Sequence, residues 1–514
     1  MTRPATRKVL AAPAAALAGA LLFTVYLRLS NTVIVGSDGA TIALQGWDIL
    51  HGNVLLHGWA TSDVSFYPAE LLEYALLERL TGLSPEVVHV AGALTYTILV
   101  LLAALVAKGE TKGRDAPVRI LITAGIMLAP APGFGASTLL LAPDHFGSAI
   151  LILLAWMVVD RGRSHIYVPV AVGVILAAGL VADPLVEVIG VAPMVLLCGL
   201  RACQRARRHE PWSLEASVAV AAAAAVGIAT IALALIRTAG GFTSSPVQTG
   251  LTGLPALPHN FFLAGQGILL LFGASFIRGQ PVNMLFSVLH LVSVAMVAAA
   301  FVIAIGRVFR RDEFLVPGLA VAITLNLAVY VASRYPADPL STREISAVLP
   351  LAAVLAGRTL VTHVLRIRLV PLLSAVLAGY AVTLGLYAAQ PRVPALHQDL
   401  ADWLVTRQLS SGVSPDYWLS NITTVDSGGA ARVTWVTAAD GGITRPPPWH
   451  TKDEWYRPDR NRADFLVTDA APGSAAWRSA VAAARASFGP PARIRSYRQY
   501  TIMIWARNVL GYFR

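Results

Sequence analysis

Runs of about twenty consecutive apolar residues recur through the first three quarters of the chain, each long enough to cross a ~30 Å hydrocarbon layer. A soluble core has no use for so many runs of that length. The composition of the 514 residues agrees: 56% are hydrophobic and only 13% charged, about half the usual share. The sequence therefore predicts a polytopic α-helical membrane protein with about eleven transmembrane helices. They are expected near 9–28, 86–107, 117–131, 146–160, 166–182, 185–200, 214–237, 284–306, 314–333, 345–365 and 369–389.

A net charge of +11 would suit a nucleic-acid partner if the basic residues were clustered on one surface. They are not. They collect in every second loop: Lys108, Lys112 and Arg114, then Arg161 and Arg163, then Arg201, Arg205, Arg207 and Arg208. Arg307, Arg310 and Arg311 follow, and finally Arg366 and Arg368. This is the positive-inside pattern, which predicts a cell-membrane protein with a cytoplasmic N-terminus and, for an odd number of spans, an extracytoplasmic C-terminal part. No nucleic acid is implied. Arg3, Arg7 and Lys8 precede an Ala/Leu-rich run as in a signal peptide, but the apolar block continues to Tyr26 and reads as an uncleaved span. Cys198 and Cys203 suggest neither a disulfide nor a metal pair.

The first long polar interval, 31–86, carries the most specific chemistry. It opens on Ser37-Asp38-Gly39 and runs into an amphipathic segment, 40–51. Thr41, Gln45 and Asp48 share one face of a helix there, while Ile42, Ala43, Gly46, Ile49 and Leu50 share the other. A second helical run, 69–80, follows Tyr67-Pro68, and both helices are expected at the membrane surface. Asp38 is placed either to cap the first helix or to do chemistry.

The other outer loops hold Asp63, Asp144-His145, Asp183-Pro184, Arg334, Asp338, Arg343 and Glu344. Asp144 could cap the fourth span, and Asp183-Pro184 suits the end of one span and the start of the next. Arg334 and Arg343 present rigid forks that match phosphate oxygens; a surface pair of Arg343 with Asp338 is the plainer alternative. Glu187 and His290 fall in the outer half of the membrane, where an ionisable group must be functional or internally paired. The apolar run 261–276 reads as a re-entrant or surface helix.

Residues 1–390 thus form a transmembrane domain, with the first outer loop at 29–85, and 391–514 an extracytoplasmic α/β domain. Within the latter we expect a helix at 395–409 and strands at 417–422, 432–437 and 464–467. A helix at 475–487 and a hairpin, 493–497 with 500–506, complete it. Trp449, Trp455, Tyr456 and Arg457 lie in its long loop, where aromatics stack a sugar or lipid or simply pack the loop. There is no P-loop, Gly-rich dinucleotide turn, HExxH or zinc cluster. Asn421-Ile422-Thr423 matches a glycosylation sequon.

A first span, an outer loop with an early Asp and two helices, many further spans and an external α/β domain form a layout that resembles the GT-C glycosyltransferases using polyprenyl-phosphate sugars, the protein mannosyltransferase and aminoarabinose transferase type. The residues carrying the resemblance are Ser37-Asp38-Gly39, the segment Gly46-Trp47-Asp48-Ile49-Leu50-His51-Gly52, and the stretch from Tyr67-Pro68 to Ser84. The chain departs from many such proteins in having Gly39, not an acid, after Asp38, and Tyr67-Pro68 in place of a His-Pro-Pro motif. The resemblance implies a GT-C-like fold and transfer of a sugar from a polyprenyl-phosphate donor to an acceptor hydroxyl at the outer face, with inversion. In such families the acid of this loop serves as catalytic base or holds a metal, a place Asp38 takes here as general base, with Asp144 as an assisting acid; the charge of the departing phosphate suits Arg334 or Arg343. Asp48, His145, Glu187, Glu344 and Tyr67 would support the site. The acceptor (protein, lipid or wall glycan) stays open, and a divalent metal could be held although no ligand spacing demands one. A transporter would show internal repeats of span pattern, which are not evident. A non-catalytic GT-C-like assembly protein is the third reading.

Overall fold

The computed structural model describes residues 4–141, 145–162, 165–247, 250–276, 281–307, 314–439 and 441–513. The chain forms two compact units. One comprises Met1–Val33, Gly92–Ala232 and Val247–Arg392; the other comprises Ile34–Ala91, Leu233–Pro246 and Val393–Arg514.

The first unit is helical. Among the described residues of the chain, nine helices are long and apolar enough to cross a membrane. A helix stands at every one of the expected spans. Three of those are shorter: Asp115–Met127, Phe146–Arg161 and Tyr167–Ala182. Conversely, Leu254–Leu271 meets the length for a span, although the sequence suggested a re-entrant or surface helix there. Its Asn260 donates to the carbonyls of Val331 and Ser333 at 2.8 and 3.0 Å, which ties a polar side chain inside the bundle to otherwise open helix-end carbonyls.

Val348–Arg366 is the most enclosed helix of this unit and packs against Asp115–Met127, Pro281–Ile305 and Leu315–Ala332. Small residues make that possible: a Cβ on Gly357 would come within 2.2 Å of Thr123 Oγ1. Arg358 on the same helix reaches Asp160 at 2.6 Å and the Val106 carbonyl at 2.6 Å. Pairing of this kind is what lets a guanidinium persist among apolar helices. Asp115 and Arg114 mark the other end of the neighbouring helix, in the first of the basic loops.

In the second unit the helix Ser37–Leu50 packs on Ala69–Thr81. Contact is close at Gly46, where a Cβ would lie 2.8 Å from Tyr74 Cβ and 2.9 Å from Glu78 Oε2. The Ser37 helix is buried on its polar as well as its apolar face, because Thr41 and Gln45 turn toward protein and not toward water. The Ala69 helix instead exposes Leu72, Leu76 and Leu80, one row at i, i+4, i+8. The rest of that helix carries its charges, Glu70, Glu73, Glu78 and Arg79.

The C-terminal part is a five-stranded mixed sheet in the order Arg432–Trp435, Ser411–Ser414, Phe465–Thr468, Tyr500–Ile504, Arg493–Tyr497. The first three strands pair in parallel, the last two antiparallel. The sequence missed an interior strand, Ser411–Ser414, which is short and carries little side-chain pattern. It also read 417–422 as a strand, where the chain forms the helix Tyr417–Asp426. The decisive features are the Asp416 side chain, which accepts from Trp418 N at 2.9 Å as an N-cap, and Leu419, Ile422 and Val425, buried at helical spacing. Trp59–Thr61 pairs with both Thr243–Ser244 and Thr451–Lys452, joining three distant segments of this unit.

Glu78 supplies a pH-dependent stability. Burial lifts its carboxyl to about 9, and neither carboxyl oxygen has a hydrogen-bond partner among the described residues. The folded state keeps a proton that the unfolded chain has already lost at the ordinary carboxylate value. Stability therefore falls as pH rises toward about 9, by at most about 1.4 kcal/mol per pH unit. Glu78→Gln should flatten this dependence: melting temperatures above wild type at pH 8, converging with it near pH 4. Parallel melting curves across that range would contradict the burial argument.

Candidate functional site

Asp38 lies in the first turn of the Ser37 helix, where a carboxylate is favoured by the helix dipole. It is held from the C-terminal part of its own unit. Tyr417 Oη donates to Asp38 Oδ1 at 2.6 Å, and His450 Nδ1 lies 2.7 Å from the same phenol oxygen and 3.7 Å from Asp38. A phenol has one proton. With that proton donated to Asp38, His450 Nδ1 is the donor to Tyr417, so the three groups form a directed chain toward the carboxylate. Tyr417 is further fixed by Ser37 Oγ, which donates to its carbonyl at 2.7 Å, and Asn421 donates to Thr41 Oγ1 at 2.8 Å. Asn421 is buried, so its sequon is packed inside the fold and not presented. Asp38 keeps 27% of its side chain exposed while His450 is sealed at 5%. The carboxylate is thus the reachable end of the chain.

Asp48, one face further along the same helix, is occupied: Lys452 Nζ and Trp59 Nε1 each stand 2.7 Å from its Oδ2, and Asn53 donates at 3.2 Å. Its role is to anchor the strand bearing Trp59 and the loop bearing Lys452. Tyr67 packs its ring on Phe242 at 5.7 Å.

In the first unit His145 caps the helix Phe146–Arg161 with a left-handed backbone, φ 59°. A left-handed side-chain residue costs energy and persists only where its surroundings fix it. They do: Asp183 Oδ2 is 2.7 Å from Nδ1, and Glu344 Oε2 is 3.4 Å from Nε2. Both ring nitrogens face carboxylates, the geometry of an imidazolium. Burial alone would depress the His145 pKa, but Asp183 and then Glu344 outweigh it and hold the ring well above its usual range. Burial likewise would raise the two acids, and His145 overrides it, keeping both below the ordinary carboxylate value. Asp183 also accepts from Leu185 N at 2.8 Å, so the residue expected only to end a span is both cap and ion-pair partner. Arg343 Nε lies 3.5 Å from Glu344 Oε1 and extends the network to an exposed guanidinium.

Arg334 is exposed, with Nε donating to the Leu251 carbonyl at 3.1 Å. Asp338 caps the turn Pro339–Ile345 by accepting from Leu340 N. Glu187 begins a π-helical turn, Glu187–Val191, exposed and without an ion pair among the described residues. His290 stacks on Tyr380, centroids 4.2 Å apart. Asp144 lies outside the described residues. Of the residues expected at the site, the structure joins His145, Glu344 and Arg343 in one network, and Asp38 and Asp48 on one helix. Sequence reasoning missed Tyr417, His450, Lys452 and the ionic role of Asp183. Only the aromatic density around Trp449 hinted at the first two. Among the described residues no His, Cys, Asp and Glu group could hold a metal ion: the carboxylates around His145 close on its ring nitrogens and leave no common centre.

No protein-family model and no curated protein matches the chain. Solved structures do. ArnT from Cupriavidus metallidurans, determined bound to undecaprenyl phosphate, superposes with a TM-score of 0.56 at 13% identity, covering 97% of this chain and 98% of that one. The fold is GT-C. An Archaeoglobus fulgidus oligosaccharyltransferase in complex with Zn and sulfate reaches a TM-score of 0.49 at 12% identity, over 91% of this chain and 69% of that chain. The archaeal AglB of the same organism, with an inhibitory peptide and a dolichol-phosphate, reaches 0.49 at 11%, over 91% and 71%. The GT-C fold and the nine candidate spans make this a multi-pass membrane protein with a C-terminal strand-containing part.

The His145 network has a defined pH window. The histidine contribution is complete below its unfolded pKa near 6.5 and is lost as pH rises through its raised folded value. The acid contributions are complete above about pH 4.5 and are lost as pH falls through their lowered values. His145→Gln should therefore destabilise by about 3–5 kcal/mol, the usual cost of leaving buried charge unpaired. The melting deficit should be greatest between about pH 5 and 6.5 and shrink toward pH 3 and above pH 8.

Proposed function

We propose that this protein is a membrane glycosyltransferase that moves a sugar from a polyprenyl-phosphate donor to an acceptor hydroxyl at the outer membrane face. The observation that carries the reading is the hydrogen-bonded, partly exposed Asp38 at the start of a loop helix within a GT-C fold. Likeness to ArnT over nearly the whole of both chains supports it, as does the undecaprenyl phosphate bound to that protein. Positive-inside placement of Lys and Arg supports a cytoplasmic N-terminus and an extracytoplasmic C-terminal part.

The chemistry follows from groups already described. The acceptor hydroxyl attacks the anomeric carbon as its proton passes to Asp38. The new C–O bond forms on the face opposite the departing phosphate, and the bond from carbon to phosphate oxygen breaks with its electron pair leaving on the polyprenyl phosphate. One displacement gives inversion. Tyr417 and His450 donate toward the carboxylate and fix its direction; as Asp38 takes the proton, the hydrogen bond from Tyr417 weakens, which favours release of that proton afterwards. Arg334 and Arg343, both exposed, take the donor phosphate and its developing charge. Asp144 would assist Asp38, and Glu187 would meet the donor within the outer leaflet. His145, Glu344 and Asp183 act from behind, as the charged network that orients Arg343.

General-base help is worth about 10²–10⁴ in rate. Asp38→Asn should lower transfer by that factor in proteoliposomes supplied with polyprenyl-phosphate sugars, while donor binding persists. Transfer near the wild-type rate would remove Asp38 from the base role. An NMR assignment of the product anomer tests inversion independently.

A further inference from the structure

Next to Asp38 the second unit gathers an aromatic cluster larger than its core requires. Tyr417 is ringed by Trp418 at 5.3 Å, Trp435 at 5.2 Å and Trp449 at 4.9 Å, with interplanar angles of 73°, 69° and 45°. Trp449 in turn stacks flat on the buried His450, 4.3 Å and 7°. Neither of the two apolar core clusters of this unit takes in Trp418, Trp435 or Trp449, although Trp435 ends the strand Arg432–Trp435. Trp418 is 55% exposed although it follows the residue bonded to Asp38, and its ring lies against Gly36 just ahead of the Asp38 turn. Several indoles at different tilts, partly open, thus border the partly exposed Asp38 carboxylate.

We infer that these rings are an acceptor platform and that the acceptor is a saccharide: a glycan whose ring stacks on Trp418 and Trp449 while one hydroxyl reaches Asp38. The inference rests on the reading of Asp38 as the base and adds the substrate class. Its physical basis is the match of surfaces. A sugar ring has C–H faces that pack on the electron-rich face of an indole, and hydroxyl edges that need hydrogen-bonding groups. The cluster offers both together, indole faces with Asp38, Tyr417 and His450 at their edge. A lipid chain would cover the rings but offers Asp38 no hydroxyl and would take its partly exposed carboxylate out of water, which costs energy. A serine or threonine side chain would reach Asp38 but leave the indoles open.

The test uses the full chain in lipid nanodiscs and two probes, a neutral hexose tetrasaccharide and a pentose tetrasaccharide, observed by saturation-transfer NMR. Stacking on indole tolerates differences between sugars, so at least one probe should bind. Trp418→Ala should weaken binding at least tenfold, Trp418→Phe should restore most of it, and Trp212→Phe, an exposed tryptophan of the other unit, should change nothing. Trp418→Ala should also raise the acceptor KM in the transfer assay with kcat largely kept. The proposal is overturned if neither probe binds, if binding ignores Trp418, or if Trp418→Ala impairs transfer only to an alkyl-alcohol acceptor. The two readings separate cleanly. Trp418-dependent saccharide binding with transfer untouched by Asp38→Asn keeps the platform and removes the base; transfer lost in Asp38→Asn without saccharide binding does the reverse.

Discussion

The hydrogen bond from Tyr417 to Asp38 joins residues 379 apart in sequence, and the organisation of the second unit depends on it and its neighbours. Ser37 to the Tyr417 carbonyl and Asn421 to Thr41 repeat the connection, so the Ser37 helix is held along its length by the Tyr417 helix. The bond from Asn421 to Thr41 is buried and the other two partly so, and away from water an unmade partner is expensive. The segment between the first two long helices is consequently no free loop. It is one layer of a domain whose other layers arrive four hundred residues later.

The two units hold their central charges differently. In the second, the Asp38 carboxylate stays partly exposed with Tyr417 and His450 hydrogen-bonded behind it, which suits the base role proposed for it. In the first, charge is locked: His145 is clasped by Asp183 and Glu344, and Arg358 by Asp160 and a helix-end carbonyl. Charge paired among helices fixes geometry. The left-handed backbone at His145 fits this division, since local strain is tolerable only where several partners hold it.

Much of this was legible in the sequence because it was written in local pattern. Apolar runs mark the helices expected as spans, and the 432–435, 465–468 and 493–504 strands follow from short apolar alternation. Asp38 stood out by its place ahead of an amphipathic helix. What could not be read were pairings: nothing near Tyr417 or His450 in sequence announces Asp38, and Asp183 looks like a helix end because it is one. The Tyr417 helix was misread because Tyr, Trp and Thr suggest a strand by propensity, whereas its capping Asp416 and the spacing of Leu419, Ile422 and Val425 decide for a helix. The polar face of the Ser37 helix misled in the same way. Thr41 and Gln45 mark contact with protein and not with water.

The central claim is that Asp38 and Tyr417 act as one unit on one proton. A double-mutant cycle in single-turnover transfer tests it most directly, comparing Asp38→Asn, Tyr417→Phe and the combined variant. Groups that act together are grossly non-additive. The account predicts a smaller loss for Tyr417→Phe alone and no further loss when it is added to Asp38→Asn. Losses that simply multiply would mean that the two residues serve separate purposes, and the directed chain of hydrogen bonds would not be the reaction centre.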